Sequence, residues 1–424
     1  MKEDFLHYLW KFKKIDFRNS KTTNGLSIEV KRFGVYNELS GADFFNALVL
    51  IDGQYWAGNI EMHLRSSYWF MHGHEKDAAY NNVILHVVWE HDVEVFNSNN
   101  QPIPVLELKN VVPASLLNTY LKLVESKHHF INCEHSLSSI DSFVIESWLE
   151  RLYIDRLREK SMVIQEMLKH SNNNWEAVLF KLLMKNFGGN INGAAFLSIA
   201  NSCDFSIIRK FMHDRDLFES FLFGQSGLLE SEIPSSYEKM LYENYQFLCS
   251  KFNLSKLGVL PIQFFKLRPH NFPTIRFSQL AGVYKETSSL FSLLIEANTF
   301  KEIKEIIKVK TSGFWEKHYT FNKKSNKVVK CISDSFIHLL IINTIIPLKF
   351  CYLNYKSTVD TDPLLKVLYD LPPEKNSIVA NFVSCNLKVK NSLHSQALLH
   401  LYQNLCSKNK CLQCVLGVKL LKEE

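Results

Sequence analysis

The chain has 424 residues and a formal net charge of +6, with 46% hydrophobic and 22% charged residues. These values are ordinary for a soluble globular protein, and the length allows two or three domains of about 100–200 residues each. The charge allows a nucleic-acid partner without requiring one, because such binding depends on a clustered basic patch rather than on the total.

The sequence argues against secretion and against a membrane. Its first 14 residues, MKEDFLHYLWKFKK, place acids and lysines where a secretory signal peptide is apolar. The most apolar stretch, Phe336–Leu348, has 13 residues, fewer than the roughly 20 that span a bilayer, so we predict a buried helix there. Nine cysteines are scattered without the density of a secreted disulfide scaffold. We therefore expect a cytoplasmic protein with no membrane partner.

The N-terminal part of the chain alternates apolar and polar residues with a period of two, which is typical of strands. Asp52-Gly53 is typical of a two-residue hairpin turn between two of these strands. The predicted elements are a helix at 3–13 and strands at 26–33, 44–51, 55–64, 82–90, 92–96 and 105–108.

Beyond residue 113 the apolar residues recur with helical spacing. Pro269 and Pro273 interrupt the pattern, so 267–281 is predicted to be a loop. The predicted helices are at 116–124, 139–168, 175–187, 194–201, 205–212, 217–223, 237–252, 288–296, 336–348 and 398–405. We therefore predict an α+β protein, in which a small mixed sheet with a flanking helix at 1–112 precedes a large all-α domain at 113–424.

An acidic and imidazole cluster lies on the predicted strands. Asp43 precedes one strand, and Glu61 and His63 share one face of the next because side chains alternate along a strand. The hairpin through Asp52-Gly53 brings the three side chains together at one end of the sheet. Two neighbouring carboxylates repel each other unless a divalent cation lies between them, and such a cation can activate water. The alternative is that Asp43 caps a turn and that the other two form an exposed strand face.

The order of these elements, with Ala42-Asp43 and Glu61-Met62-His63, resembles the PD-(D/E)XK nuclease superfamily. The resemblance covers about residues 3–110 and implies a restriction-endonuclease-like fold. It implies that the two acids bind Mg²⁺ or Mn²⁺ and that the residue at position 63, a lysine in the superfamily, positions or activates water. In this chain His63 replaces that lysine and Ala42 replaces the usual proline. Glu38 is the candidate for an assisting upstream acid.

Most of the chain also resembles an uncharacterised bacterial family of unknown function. The likeness lies in Gly58–Glu90, in LRPHNFPTIRFSQLA at 267–281 and in CLQC at 411–414. This resemblance implies no established activity.

The segment after the central strand carries further candidate metal ligands. His72-x-His74 on an extended segment can present both imidazoles to one ion, with Asp77 as another ligand. Such ligands suit Zn²⁺, Mn²⁺ or iron. His86 lies among apolar strand residues, where a histidine is more often a hydrogen-bonded core residue.

Basic and hydroxyl side chains are candidates for substrate binding, because they can hold a phosphate by charge and by hydrogen bonds. Arg65, Ser66 and Ser67 directly follow the central strand, and Arg268 and Arg276 lie in the predicted loop at 267–281. The alternatives are a polar turn for the first group and a loop that caps the helical domain for the second.

Three cysteines with the spacing Cys406-x4-Cys411-x2-Cys414 can bind Zn²⁺ or an iron–sulfur cluster. Such a site would be structural and would clasp the C-terminal residues to the helical domain. The alternative is a helix that carries these cysteines for packing. The candidates for the missing fourth ligand are Cys331, Cys351, Cys385 and His400.

Three functions are consistent with these patterns. The first is a metal-dependent, nuclease-like phosphodiesterase, in which Asp43 and Glu61 hold Mg²⁺ or Mn²⁺ and His63 positions or activates water. The second is a catalytically degenerate nuclease fold that binds nucleic acid or protein, and the third is a His-rich metal hydrolase of a small substrate. The sequence has no Gly-rich phosphate loop, nucleophile elbow or zinc-finger spacing, which argues against ATPases, serine hydrolases and zinc fingers. It leaves the oligomeric state open.

Overall fold

The structure is a computed structural model, and it describes residues 1–15, 20–37, 39–124, 130–230, 234–285, 287, 289–357 and 361–421. The chain divides into two compact units. The first comprises residues 1–148, 381–387 and 401–424, and the second comprises 149–380 and 388–400. The first unit therefore extends past the boundary expected at residue 112, because helix and C-terminal residues also pack into the core of the sheet.

The strands and helices are as follows. The strands are β1 (Ile28–Arg32), β2 (Val35–Tyr36), β3 (Phe44–Ile51), β4 (Gln54–Arg65), β5 (Val83–Glu90), β6 (Val105–Glu107), β7 (His318–Thr320) and β8 (Lys323–Lys324). The α-helices are α1 (Glu3–Lys11), α2 (Tyr68–Met71), α3 (Ala114–Val124), α4 (Ser142–His170), α5 (Trp175–Asn201), α6 (Phe205–Ile208), α7 (Arg215–Gln225), α8 (Ser236–Phe252), α9 (Pro273–Lys285), α10 (Leu290–Glu296), α11 (Phe300–Ile307), α12 (Asp334–Leu340), α13 (Ile346–Tyr355), α14 (Asp362–Asp370), α15 (Ser377–Ser384), α16 (Ser392–Asn404) and α17 (Val415–Leu420).

The first unit is built on a mixed sheet with the order β1-β3-β4-β5-β6, in which β2 also pairs with β3. β1, β2 and β4 run antiparallel to β3, whereas β5 is parallel to β4 and β6 is parallel to β5. Asp52 and Gly53, both with positive φ, form the predicted two-residue turn between β3 and β4. The residues between β4 and β5 form the crossover that a parallel pair requires. The predicted mixed sheet followed by a large helical region is confirmed.

Each face of the sheet has its own apolar core. The larger core lies under α1, α3 and the C-terminal residues, and the smaller one lies under the crossover between β4 and β5. Ile60 and Met62 of β4 belong to the larger core. Because side chains alternate along a strand, Glu61 and His63 point to the opposite face, where Trp69 belongs to the smaller core.

Three predictions were wrong. The helical region, predicted to be all-α, contains the two-stranded antiparallel sheet β7–β8. Residues 92–96, all of them described, form no strand, because the Asp92 side chain turns back to accept hydrogen bonds from two serines that follow β4. The predicted loop at 267–281 contains the start of α9, which begins at Pro273. Proline fits the first turn of a helix, where its missing N–H would have no intrahelical partner.

The apolar stretch predicted as a buried helix belongs to the second unit. Residues Asp334–Tyr355 form a helix that is long and apolar enough to cross a membrane, and 72% of its most apolar window is buried inside the structure. A π-helical turn at Ile341–Ile345 joins α12 to α13 within it. Such burial is typical of a core helix in a soluble protein.

The larger core sets the stability of the sheet. Leu85 on β5 is fully buried in it, whereas Leu39 is 84% exposed. We expect Leu85→Ala to lower the free energy of unfolding of the first unit by about 2–5 kcal/mol, because it leaves a cavity, and Leu39→Ala to change it by less than about 0.5 kcal/mol. Urea unfolding followed by tryptophan fluorescence measures both, and equal effects would contradict this packing.

Candidate metal centre

Strand β4 continues past the start of β3, which begins at Phe44, so the end of β4 lacks a β3 partner within the described sheet. Acidic side chains accept hydrogen bonds from the N–H groups that have no strand partner. The Asp43 carboxylate accepts a hydrogen bond from the N–H of Met62 at 2.9 Å. The Glu3 carboxylate on α1 accepts one from the N–H of Leu64. Buried N–H groups require acceptors, so the end of β4 gathers carboxylates around it.

Asp43 and Glu61 lie side by side at this end of the sheet. The N–H of Asp43 donates a hydrogen bond to Oε2 of Glu61 at 3.1 Å. Burial raises the pKa of the Glu61 carboxyl, and the neighbouring charge of Asp43 raises it further. Oδ2 of Asp43 lies 3.2 Å from Nε2 of His7 on α1. Burial alone would lower the pKa of His7, but the adjacent Asp43 carboxylate raises it above its ordinary value.

Two imidazoles lie beside the other oxygen of Glu61, and a third contacts one of them. Nε2 of His63 and Nε2 of His74 lie 3.6 and 3.3 Å from Oε1 of Glu61. Nδ1 of His72 lies 3.0 Å from Nε2 of His63. One ligand atom from each of the three histidines can be chosen so that all lie within 4.8 Å of one another. The structure therefore brings His63, His72 and His74 together with Glu61.

Each of these separations fits two neighbouring ligands of one metal ion, and the ligand atoms that all lie within 4.8 Å of one another are those of the three histidines. Two ligands at about 2.1 Å from an ion are about 3.0 Å apart at an octahedral angle and about 3.4 Å apart at a tetrahedral angle. The 3.0 Å pair of imidazoles could equally share an N–H···N hydrogen bond. Nε2 of His74, however, is buried and has no partner with hydrogen-bond geometry among the described residues. A metal ion would satisfy this nitrogen, which is otherwise unfavourable to bury.

His86 fixes the orientation of His63. Its Nε2 lies 2.8 Å from Nδ1 of His63, which leaves Nε2 of His63 facing Glu61. Burial lowers the pKa of His63 to about 2 and that of His86 to about 3, so both imidazoles are neutral. Neutral rings whose second nitrogen is hydrogen-bonded are typical of metal-binding histidines. His86 is thus a hydrogen-bonded core residue that supports the imidazole cluster.

The crossover between β4 and β5 carries the other two imidazoles. His72 ends α2 and His74 begins a short 3₁₀ helix, and Gly73 between them has φ 74. This left-handed conformation suits glycine and makes the turn tight. The ring of Tyr80 stacks on His74 with centroids 3.7 Å apart, and Trp69 contacts the same ring edge-on at 5.3 Å. Aromatic packing therefore holds His74 in place.

The side chains that follow β4 make local contacts. The hydroxyls of Ser66 and Ser67 donate hydrogen bonds to Asp92 at 2.9 and 2.7 Å. Arg65 is exposed, and its Nε lies 3.9 Å from the carboxylate of Glu90. The two serines thus stabilise the turn, and Arg65, beside Glu90, is the member of this predicted group that is exposed to solvent.

Asp77 lies outside the imidazole cluster. Its exposed carboxylate caps a 3₁₀ turn by accepting a hydrogen bond from the N–H of Ala79 at 2.9 Å. Asp77 is therefore not brought to the ligand atoms with which it was predicted to act. Glu38, the candidate upstream acid, lies outside the described residues.

The two arginines predicted for substrate binding lie in the second unit. Arg276 is 7% exposed and donates hydrogen bonds to Asn271 and Gln279 at 2.8 and 2.9 Å, with its guanidinium stacked on Phe336. It packs within the unit and is not available to a phosphate. Arg268 is exposed before a 3₁₀ turn.

Sequence reasoning missed His7 and Glu3. Both lie on α1 at positions four residues apart, which places them on one side of a helix. Helical spacing of these two ionisable groups on a helix with a predicted apolar face was a usable signal. They come close to Asp43 because α1 packs on the sheet, and the sequence pattern does not predict where α1 packs.

Residues 3–377 match the family described as Protein of unknown function (DUF2851). The chain belongs to this family. The match takes in the sheet and the imidazole cluster and ends before Cys406. No curated protein and no solved structure matches the chain. The predicted membership of an uncharacterised family is confirmed.

Burial of neutral histidines makes stability depend on pH. The pKa values of His63 and His86 in the folded protein, about 2 and about 3, lie below the usual value. The unfolded chain therefore binds more protons below about pH 6.5, and stability falls as the pH is lowered. For metal-free protein in EDTA, we expect each histidine to cost about 2 kcal/mol between pH 7.5 and 5.0.

Urea unfolding of the wild type and of His86→Gln at pH 7.5, 6.0 and 5.0 tests this expectation. The variant should show about half of the wild-type pH dependence that these two histidines cause. His170→Gln, which replaces a 75% exposed side chain, is the matched control and should keep the wild-type profile. An identical profile in His86→Gln would count against a neutral, buried pair.

Proposed function

We propose that this protein is a metal-dependent phosphodiesterase of the nuclease-like type, with its centre at the end of β4. The observation that carries the proposal is a cluster in which His74 and His63 lie 3.3 and 3.6 Å from Glu61 and His72 lies 3.0 Å from His63. A divalent ion held there would stabilise negative charge on a scissile phosphate and lower the pKa of the attacking water.

The proposed ligands are Glu61, His63, His72 and His74. Three imidazoles and one carboxylate suit Mn²⁺, iron or Zn²⁺ better than Mg²⁺, which prefers oxygen ligands. This assignment revises the expectation that Asp43 and Glu61 hold the ion between them. The Asp43 carboxylate already accepts the N–H of Met62, and its own N–H holds Glu61. We assign Asp43 the role of a positioning residue.

The arrangement of the sheet supports the nuclease-like part of the proposal. β1, β3 and β4 form an antiparallel meander, and a crossover leads to the parallel strand β5. This order agrees with what the resemblance to the PD-(D/E)XK superfamily implies. In that superfamily a lysine supplies a positive charge where this chain has His63. We assign that charge to His7, which lies 3.2 Å from Asp43 and would face the substrate phosphate or the water.

Burial of the centre favours a second candidate, a metal hydrolase of a small substrate. Glu61, His63 and His74 are 6%, 2% and 8% exposed, and His72 is the exposed member of the set. A substrate would approach from the side of His72. A single-stranded end or a small phosphodiester fits this access better than a long duplex does. A protein that binds metal and turns over neither class of substrate would be the degenerate binding module.

Metal binding by the Glu61 cluster is the first test. Metal-free wild type, Glu61→Gln and the control His170→Ala are titrated with Mn²⁺ and Zn²⁺ in a calorimeter. We expect Glu61→Gln to weaken binding at this site by at least about 100-fold, because it removes a ligand, and the control to bind as the wild type does. The same proteins are assayed on labelled single- and double-stranded DNA and RNA and on bis(p-nitrophenyl) phosphate.

Each outcome of this test decides between the candidates. Cleavage of oligonucleotides that Glu61→Gln loses supports the nuclease-like assignment, and cleavage of the small ester alone supports the second candidate. Binding without turnover of any phosphodiester overturns the proposed activity. Absence of metal binding in the wild type overturns the metal centre itself.

The roles of Asp43 and His72 can be separated in the same assays. We expect His72→Ala to lose metal affinity, because an exposed ligand is removed without a cost to the core. Asp43→Asn should keep metal affinity within about tenfold and lose turnover, because an amide oxygen can still accept the N–H of Met62 while the charge opposite His7 is gone. If Asp43→Asn loses the metal and His72→Ala keeps it, the ion lies between the carboxylates instead.

A further inference from the structure

Four cysteines of the first unit line one small cavity. Cys133, which lies between α3 and α4, joins Cys406, Cys411 and Cys414 in its wall. The cavity has a volume of about 20 Å³, which is close to the space that one water molecule or one ion occupies. The residues predicted for a fourth ligand, Cys331, Cys351, Cys385 and His400, are not among the described residues that line it.

Two successive turns bring the C-terminal cysteines together. Cys406 and Cys411 each begin a 3₁₀ helix, and Cys414 directly precedes α17. Gly417 on α17 packs against the carbonyl of Cys411, and a Cβ atom at this position would come within 2.2 Å of the carbonyl oxygen. The loop from Cys411 to Cys414 can fold back on α17 because residue 417 has no side chain.

These sulfur atoms are buried as neutral thiols in the metal-free protein, and a cation would draw them closer, because the described ligand atoms that lie within 4.8 Å of one another are histidine nitrogens and not these sulfurs. The nine cysteines are free thiols, and burial raises the pKa of all four in the cavity, to about 12 for Cys133. A bound divalent cation reverses this effect, because thiolate ligands lose their protons when they bind. Nδ2 of Asn132 donates a hydrogen bond to Sγ of Cys411 at 3.5 Å. Such donors are the usual supports of metal thiolates.

We propose that Cys133, Cys406, Cys411 and Cys414 bind one Zn²⁺ ion in a tetrahedral structural site. Four thiolates at about 2.3 Å are a common ligand set for structural zinc. Lys410 also lines the cavity and offsets part of the negative charge of four thiolates. An iron–sulfur cluster, the other predicted group, would give the purified protein a visible absorption that zinc does not.

The site fastens the C-terminal residues onto the sheet. Leu412 and Leu421 are buried in the larger core, and the turn at Cys411–Gln413 contacts α1. Helix α1 in turn carries Glu3 and His7 to the end of β4. Zinc would therefore hold in place one of the elements on which the imidazole cluster depends, while it takes no part in the reaction.

The zinc content of the full chain tests the proposal. The protein is purified without added metal, and its metals are measured by mass spectrometry in a His72→Ala background, which weakens the imidazole site. We expect about one zinc ion per chain, and at least a fivefold loss, roughly, in Cys133→Ser and in Cys414→Ser. Cys331→Ser, which replaces an exposed thiol, is the matched control and should keep its zinc.

A second measurement remains decisive if a variant fails to fold. In the wild type, four thiols should resist a thiol reagent until a chelator is added, and Co²⁺ exchange should give the absorption of cobalt bound by thiolates. Zinc retained by folded Cys133→Ser, or thiol reactivity that the chelator leaves unchanged, overturns the proposal. Visible absorption of the purified protein from bound iron would overturn the assignment to zinc.

Discussion

The end of β4 is the constraint on which the first unit depends. A strand that outruns its neighbour leaves N–H groups that need acceptors once they are buried. Asp43 and Glu3 supply these acceptors, from the residue before β3 and from α1. The same two carboxylates thereby come to lie beside Glu61. Asp43, which the sequence suggests as part of a catalytic motif, therefore also accepts a backbone hydrogen bond at the end of β4.

Burial determines the charge state of the cluster around Glu61. The low pKa values of His63 and His86 keep these rings neutral, whereas Asp43 raises the pKa of His7. The neutral imidazole nitrogens beside the buried Glu61 carboxylate are electron-pair donors. A bound cation would accept these electron pairs and offset the negative charge of the carboxylate. The two faces of β4 thus differ in chemistry. Ile60 and Met62 pack into the apolar core, whereas Glu61 and His63 point to the side on which the imidazoles gather.

The sequence pattern predicted the features that depend on neighbouring residues along the chain. The bounds of β3 and the turn at Asp52-Gly53 followed from alternation and turn chemistry, and the approach of Asp43 to Glu61 followed from the hairpin register. The grouping of His72 and His74 with His63 depends on a crossover whose path the sequence leaves open, and so does the exclusion of Asp77. His7 and Cys133 depend on helix docking and on contacts between distant parts of the chain, which no short window of sequence contains.

The first unit is discontinuous along the chain, because residues 149–380 separate its sheet from the C-terminal residues that complete its core. During synthesis the strands therefore emerge long before Leu412 and Leu421 are available to cover them. The intervening unit can fold first, since domains generally fold as they leave the ribosome. Until then, part of the apolar face of the sheet would remain exposed to solvent. Chaperones that bind during translation would therefore bind the first unit in preference to the second.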